Sequence, residues 1–198
     1  MIFLQGGAGA DSINGGAGFD TANYADSDAG VSIRLWNGTG VGGDAEGDTL
    51  TSIEEVIGSA FSDLLIGQSF VDDKFWGGAG DDDIYGLSGN DTLIGGEGND
   101  QLHGGDGFDI FIFAENFGDD TITDFVIGAG ELIDISAFTE VSDFTDLINN
   151  HTAMDGANTV ITIGANSLTL VNKNMGDLIA ADFKFAPSGS AEFVSADD

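Results

Sequence analysis

Between residues 77 and 112 a large apolar residue recurs every nine positions, and an aspartate stands two residues before each of them. The apolar residues are Ile84, Leu93, Leu102 and Phe111. The aspartates are Asp82, Asp91, Asp100 and Asp109. Glycine always occupies the fourth position of the unit. One apolar residue between polar neighbours predicts a short strand with a single buried side chain, and the six glycine-rich residues predict a tight turn.

Two further copies of the nonapeptide lie near the start of the chain, at residues 6–14 and 15–23. They place Asp11 and Asp20 at the position of the repeated aspartate. Leu4 occupies the apolar position of a still earlier copy, so we expect the chain to begin inside a longer array.

Two degenerate copies precede the main block. Residues 58–66 keep Asp63 at the aspartate position. Residues 67–76 keep Asp72 and Asp73 but contain one extra residue. With these copies the expected main block extends from residue 58 to residue 113.

The spacing predicts a coil of two nonapeptides. Because each turn reverses the chain, successive strands belong to opposite sheets, and strands two repeats apart stack in parallel. The apolar position then points between the sheets, and its neighbours point outward. Aspartates two repeats apart share an edge, which pairs Asp82 with Asp100 and Asp91 with Asp109 and puts Asp72 or Asp73 below Asp91. The predicted fold class is therefore all-β, a parallel β-roll (β-solenoid).

Stacked turns of this composition bring carboxylates and backbone carbonyls together. Ca²⁺ binds cages of about 6–8 oxygen ligands, whereas Mg²⁺ prefers a smaller octahedron and Zn²⁺ prefers Cys and His. The chain contains no Cys and two His. The repeats therefore predict several Ca²⁺ ions, with solvated, metal-free loops as the alternative.

The charge of the chain agrees with a cationic ligand. It contains 35 Asp and Glu against 4 Lys and Arg, a formal net charge of -31. Such a field repels nucleic-acid phosphates and anionic membranes, so neither is expected as a partner. Hydrophobic residues make up 41% of the sequence, which argues against disorder. No apolar run is long enough to cross a membrane, and without cysteine a bound metal is the expected stabiliser outside the cell.

The nonapeptide resembles the RTX (repeats-in-toxin, hemolysin-type) motif, Gly-Gly-x-Gly-x-Asp-x-apolar-x, over residues 6–23 and 58–112. The resemblance implies that Ca²⁺ is bound by the aspartates Asp11, Asp20, Asp63, Asp72, Asp73, Asp82, Asp91, Asp100 and Asp109. It further implies ligation by the carbonyls of Gly7, Gly9, Gly16, Gly18, Gly78, Gly80, Leu87, Gly89, Gly96, Gly98, Gly105 and Gly107. Leu87 stands where the motif has glycine, which leaves its carbonyl available but strains its φ.

Residues 24–57 are expected to form an inserted β-solenoid spacer between the N-terminal repeats (1–23) and the main block (58–113). Alternating polarity at 31–36 predicts a half-buried strand. Apolar residues spaced by three predict a solenoid rung rather than a helix: Leu50, Ile53 and Val56. Three acidic residues in the preceding loop predict either a further ion site or a solvated loop: Asp44, Glu46 and Asp48.

Residues 114–185 predict a C-terminal β-rich cap with one or two short helices. The expected elements are strands at 119–125 and 131–135, a helix at 140–153 capped by Ser142, a hairpin across 164–166, and a short helix and strand at 177–185. This order is similar to the C-terminal region of serralysin-type proteases and of alginate epimerase R-modules. The similarity implies a cap for the roll and a signal for type I secretion. Residues 186–198 are expected to form a mobile tail.

Few residues are suited to catalysis. Neither His103 nor His151 has a partner at zinc-ligand spacing, and the sequence contains no His-Glu-x-x-His, nucleophile elbow or phosphate-binding loop. We therefore expect no enzyme, with a glycosidase pair of carboxylates as the alternative on residue type alone. Trp36, Trp76 and Tyr85 predict either a sugar-stacking face or ordinary packing.

These expectations combine into a secreted module that folds on binding extracellular Ca²⁺ and stays unfolded during passage through a type I secretion apparatus. Its expected location is extracellular, in a Gram-negative bacterium. One alternative is the non-catalytic C-terminal module of a larger secreted hydrolase, alginate epimerase or adhesin, in which it contacts polysaccharide. Another is a free-standing extracellular calcium buffer or surface-layer component.

Overall fold

Two facing β-sheets, joined at both edges by turns, make up the computed structural model, which describes residues 1–187. Within these residues the first sheet has eight strands, in spatial order β1 (Phe3–Leu4), β3 (Thr21–Asn23), β7 (Glu55–Ile57), β9 (Lys74–Ala79), β11 (Thr92–Glu97), β13 (Ile110–Ile112), β15 (Leu132–Asp134) and β19 (Phe183–Lys184). In the same part of the chain the second sheet has eleven, in order β16 (Thr152–Asp155), β17 (Asn158–Ile163), β18 (Asn166–Leu170), β14 (Asp119–Ile122), β12 (Gln101–Asp106), β10 (Asp83–Ser88), β8 (Leu64–Ile66), β4 (Ser32–Arg34), β5 (Thr39–Val41), β6 (Thr49–Thr51) and β2 (Ser12–Asn14).

The strand pairing is that of a parallel β-roll. Every neighbouring pair in the first sheet is parallel. The second sheet is parallel from β4 to β18 and between β2 and β6, and antiparallel at its two excursions, β4–β5–β6 and β16–β17–β18. Asp83 pairs with Gln101 and Thr92 with Ile110, a shift of 18 residues. This register confirms two nonapeptides per coil.

A continuous row of apolar side chains fills the space between the sheets. The four repeated apolar residues are fully buried: Ile84, Leu93, Leu102 and Phe111. In the second sheet Ile84 lies between Leu65 and Leu102, and in the first Leu93 lies between Phe75 and Phe111. Each such side chain contributes about 1.5–3 kcal/mol relative to exposure. The degenerate copies therefore keep the core even where they lose the glycines.

In residues 58–112 the residues on either side of the buried apolar position are exposed or half-buried, with one exception. Ile94, at the ninth position of its repeat, is only 6% exposed. Trp76 is its neighbour on β9, and both side chains line one apolar cavity with Ile112 and Phe117. The outer face of the first sheet is thus partly apolar.

The spacer contributes strands to both sheets: β4, β5 and β6 to the second and β7 to the first. Leu50, Ile53 and Val56 are all buried, on or between β6 and β7, which confirms the predicted rung. The strand predicted at 31–36 is shorter, because β4 ends in a 3-10 turn at Leu35–Asn37. β5, which no pattern in the sequence predicted, folds back antiparallel on β4 before a second 3-10 turn at Gly43–Ala45.

The C-terminal cap contains the predicted strands and hairpin as β14, β15 and β17–β18. The helix predicted at 140–153 is shorter: α1 (Phe144–Asp146) continues as one π-helical turn (Leu147–His151), since the chain then enters β16. Its cap is Asp143 rather than Ser142; the Asp143 side chain accepts a hydrogen bond from the Asp146 N–H at 2.9 Å.

The cap closes with 3-10 turns at Met175–Asp177 and Ala180–Asp182 before β19. Of the predicted tail at 186–198, the residues from 188 onward lie outside the described residues. No helix of residues 1–187 has the length and apolarity needed to span a bilayer.

Candidate metal sites at the edges of the roll

The repeated aspartates form one row along each edge of the roll. In the first row the backbone N–H of each aspartate donates to Oδ1 of the next, at 2.8 Å each: Asp63, Asp82, Asp100 and Asp120. The second row repeats this pattern at 2.8 and 2.9 Å: Asp73, Asp91 and Asp109. These bonds confirm the predicted pairing of alternate turns. They also show that Asp73, and not the exposed Asp72, continues the second row.

Most of these carboxylates carry one oxygen without a hydrogen-bond donor. Within residues 1–187, Oδ2 has no partner in Asp20, Asp82, Asp91, Asp100, Asp109 and Asp120. These aspartates are at most 1% exposed. A buried charged oxygen that lacks a partner costs more than the roughly 1–3 kcal/mol of a neutral one. The donor set therefore fits a hard cation that binds oxygen, and Ca²⁺ is such an ion.

The pKa values of the row aspartates are raised, as expected for buried carboxylates without a counterion. Burial raises the pKa of Asp82 and Asp120 to about 8, of Asp91 to about 7 and of Asp100 to about 6. It also raises the pKa of Asp109. Each N–H donated along a row lowers the pKa, but neighbouring carboxylates of the same row raise it again, as Asp100 does for Asp82. Without a cation, the aspartates of the two rows therefore bind protons more readily than free aspartates do.

The lysine ion pairs of the described residues lie away from the two rows. Lys74 pairs with Glu55 at 3.1 Å, and Lys184 with Asp134 at 2.7 Å. Both pairs are on the outer face of the first sheet. No lysine in this part of the chain thus neutralises the rows, which leaves an exogenous cation or protons to do so.

The backbone of the turns brings carbonyl oxygens to the same edges. Leu87 has φ +81°, which confirms the predicted strain, and Gly89 has φ +147°. A Cβ at Gly105 would overlap the carbonyl oxygen of Leu87, and one at Gly107 that of Gly89. Only glycine permits this close stacking, so the carbonyls of alternate turn residues lie against the next turn beside the aspartate row.

The N-terminal repeats stack on the spacer through β2–β6 and β3–β7, and β1 pairs with the other side of β3, where the Ile2 N–H donates to Asp20 Oδ1 at 2.6 Å. The Asp11 N–H donates to Asp48 Oδ1 at 2.7 Å, and the Asp20 N–H to Glu54 Oε2 at 3.0 Å. Among the described residues, a Cβ at Gly7, Gly9 or Gly16 would meet no atom within 4 Å. Within residues 1–187, these turns are therefore not stacked on a second repeat turn.

Asp63 and Asp73 differ from the other aspartates of their rows. Asp63 accepts hydrogen bonds from Ser59 N (2.5 Å) and Ser59 Oγ (2.8 Å). Asp73 accepts from Gln68 N (2.6 Å) and Gln68 Nε2 (3.2 Å). The four in-register repeats of residues 77–112 have glycine or leucine at the second turn position, so their aspartates lack these side-chain donors. Both degenerate turns thus satisfy their carboxylates internally.

The acidic loop of the spacer forms no cluster. Asp48 is buried and accepts from the Tyr24 hydroxyl at 3.0 Å, while Glu46 accepts from Gly42 N at 2.9 Å. Across the described residues, no three Asp, Glu, His or Cys side chains converge on one point. A cation at the roll edges must therefore rely on backbone carbonyls as well as carboxylates.

Trp76 and Tyr85, two of the candidate sugar-stacking residues, lie on different sheets. Trp76 is in the first sheet and donates from Nε1 to Glu55, whereas Tyr85 is in the second sheet. His103 lies beside Tyr85, with ring centroids 5.7 Å apart, and its Nε2 is 3.2 Å from Asp124 Oδ2. Trp76 and Tyr85 thus cannot belong to one sugar-stacking face.

Comparison with protein families matches residues 3–22 and 72–111 to the RTX calcium-binding nonapeptide repeat, in four copies. Comparison with curated proteins gives no significant match.

Three solved structures share the fold. The extracellular lipase LipA from Serratia marcescens is 18% identical, with a TM-score of 0.56; the alignment covers 93% of this chain but only 37% of the lipase. The AlgE6R2 subunit of the Azotobacter vinelandii mannuronan C5-epimerase is 26% identical with a TM-score of 0.55, covering 69% of this chain and 95% of that subunit. The AlgE6R3 subunit of the same enzyme is 29% identical with a TM-score of 0.50, covering 67% and 83%.

The nonapeptide pattern, the coil register and the two rows of buried aspartates agree with these matches. Residues 3–22 and 72–111 of this chain match the RTX calcium-binding nonapeptide repeat, and they are built into a parallel β-roll.

Proposed function

We propose that this chain is a calcium-dependent folding module of a secreted protein. The observation that carries the proposal is the set of buried Oδ2 atoms without donors along both edges of the roll. Residues so arranged fold stably only when their charge is balanced. Binding energy then becomes folding energy, as in other modules that are unfolded without their metal.

The residues proposed to hold Ca²⁺ are the aspartates of the four in-register repeats at 77–112 with the carbonyls stacked beside them: Asp82, Asp91, Asp100 and Asp109. When bound, Ca²⁺ supplies the positive charge that these oxygens lack. Asp63 and Asp73 instead close their own turns through Ser59 and Gln68. The degenerate turns then act as metal-free rungs of the same roll.

Export in the unfolded state follows from the same electrostatics. With a net charge of -31 and no cysteine, the chain has no disulfide to offset the repulsion among its carboxylates where Ca²⁺ is scarce. We propose that it passes a type I secretion apparatus in that state and folds outside the cell, where modules of this kind bind Ca²⁺ with Kd of about 10⁻⁴–10⁻³ M.

A second candidate function is that of a non-catalytic module within a larger secreted enzyme. It is favoured by the extents of the structural matches. The chain spans 37% of the extracellular lipase, and 95% of a single subunit of the epimerase. Under this proposal the roll supports a catalytic part elsewhere and contacts polysaccharide through an outer sheet face.

Direct binding tests the proposed function. Isothermal titration of the full chain with CaCl₂ at pH 8 is expected to show several ions bound, and titration with MgCl₂ at the same concentrations little or no heat. Binding of Mg²⁺ as tightly as Ca²⁺, or no Ca²⁺ binding at millimolar concentration, would contradict the proposal.

The distinction between the aspartates of the first row is testable with two matched variants. Asp82→Asn is expected to lower the number of bound Ca²⁺ ions. Asp63→Asn is expected to keep that number and instead to lower stability by about 1–3 kcal/mol, because Ser59 N loses its acceptor. Calcium stoichiometry and thermal melts in saturating Ca²⁺ separate the two effects. Loss of an ion in Asp63→Asn would assign Asp63 to the metal sites.

A further inference from the structure

The first row of aspartates continues beyond the last recognised repeat, into residues 115–120. The Asp100 N–H donates to Asp120 Oδ1 at 2.8 Å, as the Asp82 N–H donates to Asp100 Oδ1. The Asp119 N–H donates to Asn99 Oδ1 at 3.0 Å, as the Asn99 N–H donates to Asp81 Oδ1 at 2.9 Å. Residues 115–120 therefore stack on residues 95–100 in the register of one repeat turn on the next.

The backbone of this segment also has the conformation of a repeat turn. Asn116 has φ +63° and Gly118 φ +81°, at the positions that correspond to Gly96 and Gly98. A Cβ at Gly118 would overlap the carbonyl oxygen of Gly98, as one at Gly98 would overlap that of Gly80. The segment thus places carbonyls and a carboxylate together although only Gly118 and Asp120 match the motif.

Asp120 has the same unbalanced charge as the repeat aspartates. It is 1% exposed, and its Oδ2 has no hydrogen-bond donor in residues 1–187. The charged groups that act on it are Asp100, Asp119 and Asp82, all of the same sign. Asp100, across the gap between the two turns, likewise has an Oδ2 without a donor.

Beyond this turn the row ends. Ser167 N donates to the Gly118 carbonyl at 2.8 Å, and Ser167 Oγ to Asp119 Oδ1 at 2.6 Å. Gly118 N donates to Asn166 Oδ1 at 3.0 Å. On the side of residues 115–120 that faces β18, hydrogen bonds with Asn166 and Ser167 therefore occupy the polar groups of the turn. Any cation at Asp120 lies on the opposite side, between residues 95–100 and 115–120.

We propose that residues 115–120 form a further Ca²⁺ site with residues 95–100, in which Asp120 and Asp100 supply carboxylates and the two turns supply backbone carbonyls. This inference rests on the proposed function of the main block. The site lies outside the recognised repeats and joins the repeat roll to the C-terminal cap. Ca²⁺ there fixes the cap on the end of the roll.

The test compares Asp120→Asn with Asp119→Asn in the full chain. Asp119 is the adjacent, exposed carboxylate and accepts from Ser167 on the far side of the turn, so its variant removes the same charge but neither of the two proposed carboxylate ligands. Native mass spectrometry at saturating Ca²⁺ is expected to show one ion fewer in Asp120→Asn, and the wild-type number in Asp119→Asn. The wild-type number in both variants would overturn the proposal.

A second measurement uses the wild-type protein, so it tests the proposal even if Asp120→Asn fails to fold. Anomalous diffraction from wild-type crystals soaked in Tb³⁺ is expected to show a peak within bonding distance of Asp120 Oδ2, besides peaks at the main block. Peaks at the main block alone would overturn this inference and leave the proposed function intact. If the wild-type chain binds no ion, the proposed function fails with it.

Discussion

In chelator at pH 8 the protein is expected to lose most of its β structure, and acidification toward pH 5 is expected to restore a large part of it without Ca²⁺. The reason lies in the buried aspartates, whose pKa values burial raises to between about 6 and about 8. Protons bound to these groups neutralise the rows as Ca²⁺ does. Far-UV circular dichroism in EGTA, recorded from pH 4.5 to 8.5, measures the effect.

The sign of this dependence follows from proton linkage. In the unfolded chain an aspartate titrates near 3.9, so between about pH 4 and pH 8 the folded state binds more protons than the unfolded state. The stability of the metal-free chain is therefore highest near pH 4–5 and is lost as the pH rises through the folded-state pKa values. Glu131, whose pKa burial raises to about 7, acts in the same direction.

The Ca²⁺-saturated protein is the control, and it should respond in the opposite way. Protons compete with Ca²⁺ for the same carboxylates, so the Ca²⁺ concentration needed for binding rises on acidification. A full β spectrum in EGTA at pH 8 would contradict the prediction, since the roll would then stand without any counterion and the proposed folding switch would fail.

Asp100→Asn should raise the Ca²⁺ midpoint of folding by at least about tenfold, and Asp11→Asn by less than about twofold. Asp100 lies between two aspartates of its row, Asp82 and Asp120, so one lost charge affects the turns on both sides. Loss even of an outer-shell partner of a metal costs about 10–100-fold in affinity. Asp11 instead stacks on Asp48 of the spacer and lacks a second repeat turn.

Circular dichroism during a CaCl₂ titration measures both midpoints. Folding in EGTA distinguishes loss of a ligand from general destabilisation. Because Asp100→Asn removes one buried charge, its metal-free form should be at least as folded as the wild type. Equal midpoints for the two variants, or a metal-free Asp100→Asn that is less folded than the wild type, would argue against the shared, stacked sites.

The nine-residue period was enough to predict the architecture of the repeats. A fixed apolar position with a strand period of two and a glycine-rich turn have few ways to bury the apolar side chain, and the parallel coil is the one that stacks identical turns. The pairing of Asp82 with Asp100 and of Asp91 with Asp109 followed directly. The left-handed Leu87 was also predictable, because the turn requires that conformation whatever residue stands there.

Elements without a period were predicted less well. The excursion through β5 depends on Leu50 and Gly38 meeting across the spacer, where the Leu50 N–H donates to the Gly38 carbonyl at 3.0 Å, and no local pattern encodes that contact. The helix at 140–153 was overextended because Thr152 and the residues after it pair with β17, a gain that local helical spacing does not reveal.

The composition and spacing of the chain specified an acidic, glycine-turned roll with oxygen ligands for Ca²⁺, because those properties repeat with every turn. The tertiary structure decided which carboxylates need a counterion. Asp63 directly precedes β8 and Asp120 is the second residue of β14, both strands of the second sheet, and the repeat motif favoured Asp63. Yet Ser59 satisfies Asp63, while Asp120 Oδ2 is buried without a donor in the described residues. That difference depends on which donors the fold brings within about 3 Å of each oxygen, and sequence spacing carries no information about it.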